Sequence, residues 1–194
     1  MVINFLGNDY FKISSGETTV LIDPENQRSV RGAVLILNTV MPAPVEETEE
    51  GPAIISHQGE YEVQGIHITG WSAGNDKGTE RTIYKMEMEG VTFAILGQAA
   101  KEPESKVQEF LADCDVLIVP AGGLPGQGKP FMEASATAKL VRQLEPSLVL
   151  VSFPENLKSL LKEMGQEKCV PEEKLVFKKK DLTPKAMTVR CLSI

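Results

Sequence analysis

The chain has 194 residues, 42% of them hydrophobic and 24% charged, which is the composition of a globular protein with enough apolar material for one core. Its formal net charge of −7 argues against non-specific nucleic-acid binding. No apolar run approaches the ~20 residues of a membrane span, and Met1-Val2-Ile3-Asn4-Phe5 lacks a basic segment leading into an apolar one, so the expected location is the cytoplasm, without a signal peptide.

In chain order, Val2 to Leu6, Tyr10 to Ile13 and Thr18 to Ile22 read as short strands, with turns at Gly7-Asn8-Asp9 and Ser14-Ser15-Gly16-Glu17. Ala33 to Leu37 is an unbroken apolar run and predicts a strand buried on both faces. Pro42 and Pro44 follow, so that strand has to end by about Val40 and pass into a loop. The acidic run Glu46-Glu47-Thr48-Glu49-Glu50 reads as a surface loop. Strand pieces are expected at Ala53 to Ser56, Tyr61 to Val63 and Ile66 to Thr69. Gly74-Asn75-Asp76-Lys77-Gly78-Thr79 reads as a turn cluster. Thr82 to Met88 and Val91 to Leu96 form a hairpin about Glu89-Gly90.

After Gly97 the texture changes. Glu104 to Asp113, Phe131 to Leu144 and Asn156 to Met164 carry apolar residues at helical spacing, and Val116 to Val119 and Leu148 to Val151 are apolar runs between them. Leu175 to Phe177 and Met187 to Leu192 read as closing strands, and Lys178-Lys179-Lys180 as a solvated strand end. A meander followed by helix–strand alternation predicts an α/β sandwich in four layers, two mixed sheets face to face with helices outside, built as one domain over residues 1–194.

Cys114, Cys169 and Cys191 are odd in number and widely spaced, so all three are expected as buried free thiols. Cys114 lies between Asp113 and Asp115, where negative charge should keep it unreactive.

Five stretches, in order, resemble the metallo-β-lactamase fold, and within it the ascorbate-6-phosphate-lactonase-like branch of metal-dependent hydrolases. They are Ile3-Asn4-Phe5-Leu6-Gly7 with Phe11-Lys12-Ile13, Thr19-Val20-Leu21-Ile22-Asp23-Pro24, Gly59-Glu60-Tyr61-Glu62-Val63-Gln64-Gly65-Ile66, Val116 to Gly123, and Leu144-Glu145-Pro146 before Leu148 to Val151. The resemblance implies a metal loop reading Thr-His-x-His-x-Asp-His after a buried strand. Here the matching residues run from Asn38 to Pro44. The three histidines become Thr39, Met41 and Pro44, and the aspartate becomes Ala43. The bridging aspartate becomes Gln98, the final histidine falls at or near Phe153, and the first glycine-histidine pair becomes Gly7-Asn8.

Composition points the same way. A two-zinc hydrolase site takes about four or more imidazoles plus carboxylates, and the chain has only His57 and His67. His67 reads as a strand residue. His57 lies in a loop beside Glu60, and with Asp23 or Glu60 offers at most a single-ion site. Gly122 to Lys129 is a glycine-rich link between strand and helix. Its Gly126, Gly128 and Lys129 are the candidates for an anion loop, with a plain flexible connection as the alternative.

The expectation is a metallo-β-lactamase-like fold without its metal ligands or any cofactor, acting as a small-ligand or protein-binding module. Its degenerate pocket would comprise Asn8, Asp23, Asn38, Thr39, Met41, His57, Gln98 and Phe153, with no catalytic residue assigned. Two alternatives stand: a hydrolase with a repurposed or single-ion pocket for a phosphorylated or lactone-type molecule, and a structural oligomer subunit. The partner classes left open are a small anionic ligand and further copies of the chain, with neither nucleic acid nor membrane.

Overall fold

The computed structural model describes residues 1–45, 48–76, 78–99, 101–120, 132–152 and 157–194. Strands β1 (Val2–Phe5), β2 (Phe11–Ser15) and β3 (Thr18–Ile22) form an antiparallel meander. Strands β4 (Leu35–Leu37) and β6 (Ala53–Ile55) add to it in parallel, and β14 (Leu175–Val176) closes its other edge. The second sheet runs β13 (Pro171–Glu172), β15 (Thr188–Leu192), β12 (Leu148–Val151), β11 (Val116–Val119), β10 (Val91–Ile95), β9 (Thr79–Met88), β8 (Ile66–Asp76) and β7 (Gly59–Val63), with β5 (Val40–Met41) paired to β9.

Alternation along each strand divides the apolar residues between two layers. Leu35 and Leu37 join Ile3, Phe5, Tyr84 and Phe93 between the sheets. Ile36 faces the other way, onto Tyr10, Leu21, Val30 and Val45. The apolar run is therefore buried on both faces, as expected. The outer face of the second sheet, including Ile83, Ala94, Leu117 and Val149, is covered by helices α1 (Ser105–Leu111), α2 (Ala134–Leu144) and α3 (Leu157–Met164). Helix α2 ends where Glu145 turns into the left-handed region and Pro146 follows. Over the outer face of the first sheet the described layer is thin, a 3-10 turn at Gln27–Val30 with Val45.

Three expectations change. Gly74, Asn75, Asp76 and Thr79 belong to strands: β8 and β9 pair as far as Asp76 opposite Thr79. Gly74, at φ +107°, marks a bulge between Ser72 and Gly74 and not a turn. The run Lys178-Lys179-Lys180 enters a 3-10 turn over Lys179–Asp181 and does not extend a strand. Cys169 and Cys191 form a disulfide, with Cα atoms 5.8 Å apart. Pairing of Pro171 opposite Cys191 in β13 and β15 brings together two cysteines that the sequence separates by 22 positions. Only Cys114 stays free, and burial pushes its thiol up to about 12, with Asp115 and Asp113 as lesser causes opposed by Lys85. No helix of the described residues is long and apolar enough to cross a membrane.

Candidate functional site

The chain crosses from one sheet to the other just after β4. Asn38 N–H still donates to Ile55 of the first sheet, whereas Thr39 already accepts from Thr82 N–H of the second and β5 then pairs with β9. Tyr84, fully buried between the sheets, donates its hydroxyl to the Asn38 carbonyl at 3.0 Å and fixes the crossing.

Asp23, at the end of β3, clamps that crossing. Thr39 N–H donates to its Oδ1 at 2.7 Å and the Thr39 hydroxyl to its Oδ2 at 2.5 Å. Gly97, after β10, packs against the same threonine: a Cβ at Gly97 would stand 2.1 Å from Thr39 Oγ1. Gln98 follows Gly97 and stands near Asp9.

Asp9 lies in the turn between β1 and β2, a place that the sequence marks as surface, yet its side chain is buried. It is 3% exposed, and neither carboxylate oxygen has a hydrogen-bond partner among the described residues. Ser152, after β12, and Gln98 stand close enough to favour its charged form, though neither meets hydrogen-bond geometry. Burial outweighs them and pushes Asp9 up to about 6. Burial also pushes Asp23 up to about 8; the charge of Asp9 adds to this, and the bonds from Thr39 oppose it. Burial therefore disfavours the charged form of both carboxyls, and the charge of Asp9 adds to the effect on Asp23.

The other candidates divide. Asn38 is 1% exposed and donates to Ser56 Oγ at 3.0 Å, and its own Oδ1 is buried without a partner among the described residues. Asn8 turns outward and donates to Glu25 at 2.5 Å, so the turn sends Asp9 inward in its place. Met41 lies in β5 opposite Glu80. His57 pairs with Glu80 at 3.4 Å and not with Glu60 or Asp23; it is 60% exposed. His67 stands in β8 opposite Glu62, 3.6 Å from its carboxylate. Phe153 and the loop residues Gly126, Gly128 and Lys129 lie outside the described residues.

A two-metal centre does not fit this donor set. Among the described residues no three His, Cys, Asp or Glu side chains form a metal-holding group. The Thr39 hydroxyl is committed to Asp23 and the Asn38 amide to Ser56. Zinc sites are built from imidazole and thiolate with a few carboxylates, and here the crossing offers hydroxyls, amides and one carboxyl pair.

The β-lactamase superfamily domain matches residues 2–151. A sequence comparison with curated proteins finds no significant match. Among solved structures, a candidate Zn-dependent hydrolase of the metallo-β-lactamase superfamily from Thermotoga maritima aligns over 99% of both chains, with TM-score 0.74 and 16% identity. A candidate metal-dependent hydrolase from Veillonella parvula covers 91% of this chain and 99% of its own, with TM-score 0.67 and 12% identity. Another from Parabacteroides distasonis covers 84% and 89%, with TM-score 0.63 and 17% identity. With the family match spanning most of the chain and these structures sharing its two-sheet architecture, the protein belongs to the metallo-β-lactamase superfamily.

Proposed function

We propose that this chain uses the hydrolase fold as a binding module for a small molecule, without metal-dependent hydrolysis. The observation that carries the reading is the donor set around the crossing, where Thr39, Met41 and Gln98 stand at positions for which the resemblance implies two histidines and the bridging aspartate. Hydrolysis at a metal needs an open coordination position and an activated water, and among the described residues no three His, Cys, Asp or Glu side chains stand together to hold the ion. The similar structures are described as candidate metal-dependent hydrolases, and this chain departs from them in chemistry while keeping their fold. An open cleft beside the crossing supports binding: it contains a cavity of about 570 Å³, within the range of small-molecule sites. The test is thermal. Protein purified without an affinity tag is expected to melt at one temperature before and after exhaustive dialysis against a chelator, and added zinc is expected not to raise it. A chelator-induced drop in melting temperature, reversed by zinc, would overturn the reading.

A further inference from the structure

The cleft beside the crossing brings three cationic side chains, Arg81, Lys101 and Lys106, together with three carboxylates, Glu80, Glu102 and Glu104. Its larger part, about 570 Å³, lies between β8 and the segment leading into α1, with Trp71, Lys101 and Lys106 on its walls. A second cavity of about 270 Å³ contains His57, Arg81 and Thr82. The two share Gln58, Ser72 and Gly74 on their walls, so they are adjoining parts of one cleft, called the groove below. The bulge in β8 between Ser72 and Gly74 lies opposite Arg81 and Thr82. Bulges of this kind re-aim side chains beside sites.

The charges in the groove are unequally committed. Glu80 is engaged by His57 at 3.4 Å and Glu102 by Lys139 at 3.1 Å. Arg81, Lys101 and Lys106 have no ion-pair partner among the described residues. Against them stands Glu104 at the mouth. Arg81 also carries an unmet requirement: its Nε is buried and has no acceptor among the described residues. A buried guanidinium donor without an acceptor costs about 1–3 kcal/mol or more, and in a native protein it calls for an explanation. A planar fork of donors with no protein carboxylate on it matches the geometry of a carboxylate or phosphate.

The apolar part of the groove limits the rest of the ligand. Trp71 is half-buried and stacks at a tilt on Phe110, ring centroids 5.2 Å apart. Phe110 is 51% exposed. An indole held by a neighbouring ring offers a flat body a rigid surface.

We propose that this groove binds a small molecule bearing an oxyanion on a flat apolar body, with Arg81 as the oxyanion anchor and Trp71 against the body. The proposal rests on the binding-module reading but names a site away from the Asp9–Asp23 pair. A ligand acceptor reaching Arg81 supplies the partner its donors lack, after a small adjustment that brings Nε within reach. Lys101 and Lys106 add attraction at the mouth without fixing orientation. His57, already paired with Glu80, stands beside the anchor as a further donor.

The chain contains one tryptophan, so its emission reports on the groove directly. The full-length protein is titrated with phenyl phosphate, inorganic phosphate and benzyl alcohol, following Trp71 emission and, in parallel, calorimetric heat. Phenyl phosphate is expected to saturate and to bind more tightly than inorganic phosphate, and benzyl alcohol to give no saturable change. Arg81→Met is expected to weaken phenyl phosphate binding by at least about tenfold, and Arg81→Lys to fall between it and the parent, because lysine keeps the charge but not the fork. If Arg81→Met does not fold, Arg81→Lys decides: weaker binding supports the anchor and unchanged binding rejects it. Equal binding by Arg81→Met, equal binding of benzyl alcohol, or no saturation by about 10 mM phenyl phosphate would overturn the proposal. A metal-free protein that fails these titrations loses this site alone, whereas one that proves to hold zinc loses the reading beneath it.

Discussion

Replacing Asp9 by asparagine removes a buried charge while keeping the shape of the side chain, and the effect should depend on pH in a defined direction. Asp9 is raised from 3.8 to about 6 and Asp23 from 3.8 to about 8. A carboxyl whose folded pKa lies above its unfolded value binds more protons when folded. Its contribution to stability is complete below the unfolded value and is lost as pH rises through the folded one. The wild-type protein should therefore lose stability steadily from about pH 4 to pH 8, the window set by the two shifts. Two units on Asp9 alone correspond to about 3 kcal/mol, or about 6–12 °C of melting temperature for a chain of this size. Asp9→Asn deletes that cost and relieves the repulsion on Asp23, so it should raise the melting temperature at pH 8, change it little at pH 4, and flatten the profile between them. Thermal denaturation at pH 4, 6 and 8 on both proteins is the assay. A wild-type stability that rises toward pH 8, or an Asp9→Asn variant less stable than the parent at pH 8, would refute the reasoning.

Gly97→Ala should destabilise the fold by about 2 kcal/mol or more, because a Cβ there meets Thr39 Oγ1 at 2.1 Å in a backbone already at φ +51°; chemical denaturation measures it, and a neutral effect would mean that β10 does not press on the crossing. Reducing the Cys169–Cys191 disulfide, which closes a loop of 22 positions, should cost about 3 kcal/mol, read as a lower urea midpoint in dithiothreitol than under oxidising conditions. Cys114, buried and held as a thiol, should resist iodoacetamide at pH 8 in the folded protein and react on unfolding; mass spectrometry separates the two states.

The sheets were legible because their signals are local. The apolar run before Asn38 and the hairpin about Glu89-Gly90 each specify a strand from a few neighbouring residues. The substitutions in the loop from Asn38 to Pro44 were legible for the same reason. Asp9 was not, because Gly7-Asn8-Asp9 has the composition of a surface turn. The side chains that act on its carboxyl, Gln98 and Ser152, follow strands far along the chain. Asn8, the matching position, turns out to Glu25 instead. Gly74 misled in the opposite sense: a glycine among polar residues signals a turn or a bulge equally well, and only the pairing of β8 with β9 decides between them. The disulfide has a similar origin, since the register of β13 on β15 has no local signature at Cys169.

The proposed function requires that this member of the superfamily holds no metal ion at the crossing. Elemental analysis by mass spectrometry tests it most directly, on protein expressed without an affinity tag in medium supplemented with zinc, manganese and iron. Thr39, Asn38 and Gln98 give no imidazole or thiolate to hold such ions, so the content of each should fall well below one ion per chain; a stoichiometric content of any of them, retained through gel filtration, would contradict the account.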